Sequence, residues 1–428
     1  MTRSAIVIGA GVAGVAAAWS ALRQGVKVTL VSRGAGASSL GGGAVDDVPW
    51  ERLERAAKQL GTDPPAGELD TDVLEFSSAL GLWEVPPSGA SRPRLATVAG
   101  IVRPSRGHDR ALLNLELLRG TTVLLPRADR AGWDADAIAA GLSEDPFARA
   151  CELRFVAIDA PILRFVDEAR IGDVDLAARH DDAARLDWLG ERLRDAVLAA
   201  AGGGVRAGGV LLGPWLGARS PRAEHLSARS GLPVGEALMG VGSPAGHRFT
   251  SARDRLLESL GGNIVPARAS SASLINDRAL VSLEGDAGQL EADVVILALG
   301  GLAGGGVVYA PPDSLADVDL PPRAGVPFTL SLSAGVTIGG RAGALGVTSS
   351  LHGPELDLSA WPMGDRPGAL EDVGILCRGV RAAPGLFAAG DVVAGRPRTL
   401  LEAVASGVRA GRAIEAAPTL LSASRPGP

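Results

Sequence analysis

The feature that constrains this chain most is a glycine-rich turn between two short apolar strands near the N-terminus. Residues 5–8 are an apolar, largely β-branched run, which predicts a strand buried on both faces, and Gly9, Gly11 and Gly14 follow it as G-x-G-x-x-G. An alanine-rich helix over about residues 12–24 and a second strand over 26–31 complete the unit. The glycines permit a tight turn, close approach of a pyrophosphate and close helix packing, while the helix N-terminus offers N–H groups to phosphate. These residues therefore predict a nucleotide-binding site.

The residues after the second strand do not decide which kind of nucleotide is bound. An acidic residue is expected there, where it would bind the hydroxyls of the adenosine ribose, but this chain has Ser32 followed by Arg33. A serine can still hydrogen-bond a ribose, and an arginine can bind phosphate. Both a dinucleotide with altered contacts and a mononucleotide are compatible with this pair.

Composition excludes several classes of protein. The 428 residues are 46% hydrophobic and 21% charged, which predicts a globular chain of two or three domains. A net charge of −6 without a long basic run argues against nucleic acid as a partner. Cys151 and Cys377 lie far apart without a C-x-x-C motif, so we expect no iron–sulfur cluster, no other metal and two buried thiols. The apolar run 294–310 is dense in glycine and predicts strand and turn rather than a membrane span, so we expect a cytoplasmic chain.

Two internal glycine segments are further candidates for the cofactor site. Residues 34–47 include Ser39 and Gly42, and in flavoproteins such a run of small residues lies beside the redox ring; a plain loop is the alternative. A second apolar strand ends at Gly300, and a strand of this kind commonly returns the chain to the cofactor.

The C-terminal block over residues 385–417 predicts the nature of that cofactor. It reads as a strand, then Gly390 and Asp391, then a long helix from about Thr399. In FAD proteins such an aspartate accepts a hydrogen bond from the ribityl chain, and the following helix directs its positive end at the N1–C2 carbonyl edge of the flavin. Together with the N-terminal turn, this block favours a flavin over NAD alone.

These elements predict an α/β fold. We expect a Rossmann-like FAD/NAD(P)-binding three-layer domain, assembled from both ends of the chain around a parallel sheet, with an inserted mixed α/β cap domain. The predicted boundaries are 1–95 for the first part of the FAD-binding domain, 96–250 for the cap or substrate domain, and 251–428 for the second part.

The order of these blocks resembles the B subunit family of anaerobic glycerol-3-phosphate dehydrogenase, within the class of flavoproteins that includes fumarate reductase flavoprotein subunits. The resemblance covers most of the chain and is carried by VTLVSRG with SSLGGGAVD, MGVGSPAGHRF, LLESLGGNIV, DVVILALGG, LGVTSS, GLFAAGD and SGVRAG. Asp391 and the Arg396-Pro397-Arg398 stretch depart from the family pattern.

The resemblance implies a cytoplasmic flavoprotein that pairs with a catalytic A subunit and an iron–sulfur C subunit at the membrane. Electrons would pass from glycerol 3-phosphate, leaving dihydroxyacetone phosphate, towards quinone. The family is usually described with FMN, whereas the two motifs in this chain favour FAD. A non-catalytic electron-relay or scaffold subunit and an autonomous fumarate-reductase-like oxidoreductase are the alternative functions.

Oxidation of an alcohol phosphate requires a base and an anion site. We expect His247 or His352 as the base and Arg248 or Arg398 as the phosphate ligand. His247 and Arg248 precede a helix predicted to open at about Thr250, a position suited to an anion, although a solvent-facing loop pair fits the same pattern.

Overall fold

A computed structural model describes residues 3–34, 36–47, 70–275, 278–310, 329–342, 345, 347 and 373–416. The chain divides into two compact units, Met1–Ser38 with Arg255–Pro428 and Ser39–Asp254. Over the described residues the helices are α1 (Val12–Arg23), α2 (Thr71–Leu80), α3 (Ala135–Glu144), α4 (Pro146–Ala150), α5 (Asp173–Arg179), α6 (Ala183–Gly202), α7 (Ala223–Ser230), α8 (Pro244–Ser259) and α9 (Leu400–Ala416). None of these helices is long and apolar enough to cross a membrane.

The strands over the same residues are β1 (Ser4–Ile8), β2 (Lys27–Val31), β3 (Ala44–Val45), β4 (Trp83–Glu84), β5 (Arg94–Ala96), β6 (Val102–Pro104), β7 (Gly107–Asp109), β8 (Thr122–Pro126), β9 (Arg154–Ile158), β10 (Ala207–Leu212), β11 (Val234–Glu236), β12 (Asn263–Val265), β13 (Ala269–Ile275), β14 (Arg278–Leu283), β15 (Gln289–Ala292), β16 (Val294–Leu297), β17 (Val307–Ala310), β18 (Thr329–Leu332), β19 (Gly335–Ile338), β20 (Arg341–Ala342), β21 (Arg381–Ala383) and β22 (Leu386–Ala388).

A six-stranded sheet forms the middle of the first unit, in the order β12-β2-β1-β16-β22-β21. β1 lies between β2 and β16 and is parallel to both, and β22 is parallel to β16. The central strands are the predicted apolar runs. A parallel sheet is covered on both faces, so the side chains on both faces of its strands must be apolar enough to be buried. The chain thus contributes its N-terminal and C-terminal parts to one sheet, with the antiparallel β21 at its edge.

Helices α1 and α9 pack against each other in this unit through small residues. A Cβ atom at Gly407 would overlap the carbonyl oxygen of Ala13, and one at Gly411 would lie 2.7 Å from the Cβ atom of Ser20. The Ser20 hydroxyl donates to the carbonyl oxygen of Val408 at 3.1 Å. Glycine at both positions therefore permits the close approach of the two helices.

A second, five-stranded sheet covers the other face of the parallel sheet, in the order β15-β14-β13-β19-β20. Its Ala272, Val281 and Val336 share one core with Ile6 and Val295 of the parallel strands. Helices, parallel sheet and antiparallel sheet make three layers, which confirms the predicted α/β, Rossmann-like class.

The second unit contains a four-stranded parallel sheet in the order β11-β10-β8-β9, which has its own apolar core. A three-stranded sheet, β3-β7-β4, lies in the same unit. β3 and β4 both pair with β7 and so lie in the unit Ser39–Asp254, whereas the domain predicted over residues 1–95 includes both strands. Strands of two residues carry no periodicity from which this pairing could be predicted.

Candidate cofactor site

A cleft of about 550 Å³ lies in the first unit, at the carboxyl ends of β1, β2, β16 and β22. Open α/β sheets bind ligands at this edge, and the volume is in the range of cofactor pockets. Its lining includes Gly9, Gly11, Ser32, Arg33, Ser38, Arg268, Gly300, Gly390, Asp391, Arg398 and Thr399. The predicted N-terminal and C-terminal motifs therefore meet at one cleft.

The glycine turn after β1 leaves no space for side chains. Gly9 has a φ of +111°, and a Cβ atom there would overlap the carbonyl oxygen of Ala298. A Cβ atom at Gly14 would overlap the carbonyl oxygen of Gly9, so Gly14 permits the helix to pack on the turn. Gly11 differs from both, because its φ of −71° is open to any residue and its nearest neighbour is the Ser38 hydroxyl.

The N-terminus of α1 lies at this cleft, and no acidic side chain of its first turn offsets the positive end of the helix dipole. The first turn contains no acidic residue, and Gly11 at the N-cap provides no side-chain hydrogen bond. The Ser38 hydroxyl accepts a hydrogen bond from the N–H of Val12 at 3.0 Å. The remaining N–H groups of this turn and the positive helix end suit a pyrophosphate. The sequence identified Ser39 rather than Ser38, since nothing in a run of small residues tells which hydroxyl faces the helix.

The end of β2 carries positive charge where a carboxylate was expected. The Ser32 hydroxyl donates to the carbonyl oxygen of Gly34 at 3.2 Å. Arg33 and Arg268 both line the cleft, and their side chains lie 3.9 Å and 3.4 Å from the carboxylate of Glu284. Two guanidinium groups thus share one carboxylate at this end.

The opposite end of the cleft is built by the turn after β22 and the start of α9. Gly390 has a φ of +73°, and its N–H donates to the Ser406 hydroxyl at 2.9 Å. Burial raises the pKa of Asp391, and the positive charge of Arg398 opposes that rise. Arg398 is oriented by hydrogen bonds to the carbonyl oxygens of Val393 at 3.0 Å and Val373 at 2.6 Å.

Helix α9 directs its positive end at the same cleft. Thr399 precedes the helix and accepts a hydrogen bond from the N–H of Glu402 at 3.3 Å, and Leu400 and Ala403 of the first turn line the cleft. The Glu402 carboxylate is paired with Arg409 at 2.8 Å. A negatively charged group at this end is therefore favoured by both the helix and Arg398.

The cleft fits a flavin dinucleotide in its main requirements. One helix N-terminus and a glycine cradle suit the pyrophosphate, and a second helix N-terminus suits the N1–C2 carbonyl edge of the ring. Asp391 is placed to accept a hydrogen bond from a sugar-like chain between them. The carboxylate that usually binds the adenosine ribose is absent, because Ser32 occupies that position.

Two predicted cofactor residues do not line the cleft. Ser39 and Gly42 belong to the second unit, where a Cβ atom at Gly42 would overlap the carbonyl oxygen of Met239 and one at Gly246 would overlap that of Ser39. Close backbone packing accounts for the glycine at position 42 without a ligand.

Arg248 is a structural ion-pair partner rather than a phosphate ligand, which corrects the expectation for this residue. Helix α8 begins at Pro244, so His247 and Arg248 lie within it. The fully buried Arg248 donates to Asp109 at 2.8 Å, to Glu236 at 2.8 Å and to the carbonyl oxygen of Gly217 at 2.7 Å. Burial raises the pKa of Glu236 to about 7, although Arg248 lowers it.

The two predicted bases differ in what the structure describes of them. His247 is exposed on α8, and His352 lies outside the described residues. Of the histidines missed by the sequence, His180 is buried, and its Nδ1–H donates to the carbonyl oxygen of Trp215 at 2.7 Å. Burial lowers the pKa of His180 to about 4. In the described part of the chain no group of three His, Cys, Asp or Glu side chains could hold a metal ion.

Comparison with known proteins gives one family match over a short segment. The profile of the family described as glucose inhibited division protein A matches residues 4–47, which contain the β1-α1-β2 unit. No curated protein matches this chain.

Solved structures give distant likenesses. CtdE in complex with FAD is 11% identical with a TM-score of 0.33, and the match covers 98% of this chain and 86% of that one. OxyS anhydrotetracycline hydroxylase from Streptomyces rimosus is 12% identical with a TM-score of 0.31, over 99% and 65% of the two chains. BexE is 12% identical with a TM-score of 0.32, and this chain, at 97% coverage, spans 63% of its length. At such scores the function of this chain rests on the cleft itself.

Proposed function

We propose that this chain is a flavin-dependent oxidoreductase that binds FAD in the cleft of the first unit. The observation that carries the proposal is the convergence of two helix N-termini on one cleft. Gly9 and Gly11 precede the first helix, and Gly390 with Asp391 precedes the second. A dinucleotide has negative charge at its pyrophosphate and, in a reduced flavin, at the N1–C2 edge, so it matches both ends.

Each part of the cleft has a role towards the cofactor. The backbone N–H groups at the start of α1 would hold the pyrophosphate, and Asp391 would accept a hydrogen bond from a ribityl hydroxyl. Arg398 and the start of α9 would stabilise negative charge at the ring edge. A bound flavin supplies hydride acceptance and electron transfer in one-electron or two-electron steps.

Replacement of Gly11 tests this role with little risk to folding. Gly11→Ala is compatible with its backbone angles, but its methyl group would stand against Ser38 where the pyrophosphate approaches. We expect at least a tenfold loss of FAD affinity, measured by titration of the cofactor-free protein and flavin fluorescence, with unchanged thermal unfolding of the cofactor-free form. Gly202→Ala, which has no atom within 4 Å of the new Cβ, is the matched control and should bind FAD normally.

We further propose that the chain is the B subunit of a glycerol-3-phosphate:quinone dehydrogenase. The support is the resemblance of the sequence blocks over most of the chain, together with the positive charge of Arg398 in the cleft. Its partners would be the catalytic A subunit and the iron–sulfur C subunit, through which it would associate with the membrane. The test is reduction of an artificial acceptor by glycerol 3-phosphate, with the flavin-loaded chain alone and with co-expressed A and C subunits.

A non-catalytic electron-relay subunit is the second candidate. It is favoured by the engagement of Arg248 with Asp109 and Glu236, which removes one expected phosphate ligand, and by the exposure of His247. The relay function predicts turnover only in the assembled complex. Turnover by the isolated chain would contradict it.

A further inference from the structure

We propose that the end of the cofactor cleft at Ser32 binds a phosphate group on the ribose of an adenine nucleotide, such as the 2′-phosphate of NADP(H) or the 3′-phosphate of coenzyme A. The proposal rests on the proposed function in one respect, the binding of an adenine nucleotide in this cleft, and goes beyond it by naming a ligand that competes with FAD. Two arginines that line this end of the cleft, Arg33 and Arg268, carry the proposal.

Two neighbouring parallel strands bring these arginines together. β12 pairs with β2 so that Val265 lies opposite Val31, and both strands therefore end at the same edge of the sheet. The N–H of Ser32 donates to the carbonyl oxygen of Val265 at 3.1 Å. Arg33 follows the end of β2, and Arg268 follows the end of β12. The fold thus places two cations where a sheet of this kind binds the ribose of a nucleotide.

Both guanidinium groups contact one carboxylate without a close hydrogen bond. Arg33 Nη1 lies 3.9 Å from one oxygen of Glu284, and Arg268 Nε lies 3.4 Å from the other. Charge-assisted hydrogen bonds are shorter, at about 2.7–2.9 Å. The side chains of Arg33, Arg268 and Glu284 are 72%, 53% and 40% exposed, and ion pairs between exposed groups contribute little to stability. A phosphate group can therefore replace Glu284 as the partner at small cost.

The charges that line this end of the cleft favour an anion. Among the described residues of the lining, the charged ones are Arg33, Arg268, Asp391 and Arg398, and the last two lie at the opposite end. Ser32 stands where a carboxylate would bind the ribose hydroxyls and repel a ribose phosphate. An arginine near this position is the group that accommodates a 2′-phosphate in dinucleotide-binding sheets.

The donors of the two arginines match a phosphate better than a hydroxyl group. A guanidinium group offers up to five N–H donors in a fixed plane, and a phosphate monoester offers three acceptor oxygens with a charge close to −2 at neutral pH. The ribose of NAD⁺ or FAD presents hydroxyl groups at the same place and gains no ion pair there. We therefore expect the cleft to discriminate nucleotides by the ribose phosphate.

NAD⁺ and NADP⁺ test this discrimination, because they differ only in the 2′-phosphate. The measurement is calorimetric titration of the cofactor-free, full-length chain with each nucleotide. We expect the Kd of NADP⁺ to be about tenfold lower than that of NAD⁺ at low ionic strength. The difference should shrink as sodium chloride is added, since salt screens exposed charges. NADP⁺ should also displace bound FAD, which is followed by flavin fluorescence.

Replacement of either arginine should remove the preference. We expect Arg33→Gln and Arg268→Gln to bring the Kd of NADP⁺ close to that of NAD⁺, without a comparable loss of FAD affinity, because FAD has no ribose phosphate. Arg278→Gln is the matched control. Arg278 is 55% exposed and pairs with Glu291 at 3.1 Å and Asp293 at 3.3 Å, and it is not among the described residues that line the cleft. This variant should keep the wild-type ratio of the two Kd values.

Ser32→Glu should invert the preference, since a carboxylate there would repel the ribose phosphate and accept hydrogen bonds from free hydroxyls. Adenosine 2′,5′-bisphosphate and adenosine 3′,5′-bisphosphate, compared with AMP, distinguish the two sources of the phosphate. Tighter binding of the first identifies an NADP(H)-like ligand, and tighter binding of the second identifies a ligand like coenzyme A. Equal binding of all three compounds would overturn the proposal.

Two further results would overturn it: equal Kd values of the wild type for NADP⁺ and NAD⁺, and a wild-type ratio of these values in both Arg33→Gln and Arg268→Gln. Titration of the same preparation with FAD separates this proposal from the proposed function. If FAD binds and the chain does not distinguish NADP⁺ from NAD⁺, the ribose-phosphate site alone is wrong. If the chain prefers NADP⁺ and does not bind FAD, the proposed flavin function alone is wrong.

Discussion

Single residues set the preference of the cleft for one nucleotide over another. Ser32 stands where a carboxylate would bind both ribose hydroxyls, and Arg33 and Arg268 place positive charge beside it. The opposite end of the cleft, where the flavin ring would lie, is lined by both a carboxylate, Asp391, and a guanidinium group, Arg398. We therefore expect the flavin half of FAD to contribute more to binding than the adenosine half.

Ser32→Glu should improve FAD binding selectively. A carboxylate at this position would accept hydrogen bonds from the ribose hydroxyls, and hydrogen bonds to charged groups contribute about 1.5–3 kcal/mol, which corresponds to roughly tenfold or more in Kd. FMN has no adenosine, so its Kd should not change. Titration of both flavins into the variant and into Ser32→Ala, the control, measures this difference. An equal change for FMN and FAD would show that position 32 does not face the adenosine ribose.

Glu236 links the stability of the second unit to pH. Burial raises the pKa of Glu236 to about 7 from an ordinary value of 4.5. Between pH 4.5 and 7 the carboxyl group is therefore protonated in the folded state and ionised in the unfolded state. Stability from this group is fully present below about pH 4.5 and is lost as the pH rises through 7. The lowered pKa of His180 acts in the opposite direction over part of this range.

Glu236→Gln should flatten the pH dependence of unfolding. We expect the wild type to lose up to about 1.4 kcal/mol per pH unit relative to the variant between pH 5 and 7, because one group titrates. Chemical denaturation of both proteins at several pH values gives the difference and cancels the effect of His180. A difference that is constant with pH would mean that Glu236 is ionised throughout this range in the folded protein.

At the scale of elements, the sequence was most informative where a periodic pattern coincided with glycine chemistry. The helix predicted over residues 12–24 is Val12–Arg23, and the strand predicted over 26–31 is Lys27–Val31. The start of α8 was missed by about six residues, because Pro244 at the first position begins the helix ahead of the apolar pattern that indicated Thr250.

Site residues can be predicted where local backbone geometry selects them, and not where tertiary contacts do. Gly9 and Gly390 could be predicted because positive φ angles and close backbone contacts leave glycine as the suitable residue. The choice between Ser38 and Ser39, and the pairing of Arg248 with Asp109 across 139 positions, depend on tertiary contacts that local sequence does not encode.

The α1–α9 contact predicts a coupling between helix packing and cofactor binding. In Gly411→Ala the new Cβ would overlap the carbonyl oxygen of Ala17 and lie 2.7 Å from the Cβ atom of Ser20. We expect a loss of stability of about 1–3 kcal/mol from overpacking. Since α9 begins at the cleft, FAD affinity should fall as well.

Chemical denaturation and FAD titration of Gly411→Ala check both effects. Gly202→Ala is again the control, since its Cβ meets open space and the change should be neutral or stabilising by up to about 1 kcal/mol. Wild-type stability and affinity in Gly411→Ala would contradict the packing role assigned to this glycine.

At the scale of the whole molecule, the chain consists of a nucleotide-binding unit made from both ends and an inserted α/β unit. The first was predictable as an α/β, three-layer fold because its strands and glycine turns are local in sequence. The buried ion pairs of Arg248 with Asp109 and Glu236 in the inserted unit depend on tertiary contacts and could not be predicted from local sequence.

The identity of the bound cofactor shows whether the cleft of the first unit holds a flavin dinucleotide. The measurement is the visible spectrum of freshly purified protein, followed by denaturation and chromatography of the released compound beside FAD and FMN standards. We predict an oxidised flavin spectrum and release of FAD. Release of FMN would contradict the pyrophosphate role of the Gly9 to Gly14 turn, and a colourless protein that cannot be reconstituted with either flavin would contradict the proposed oxidoreductase function.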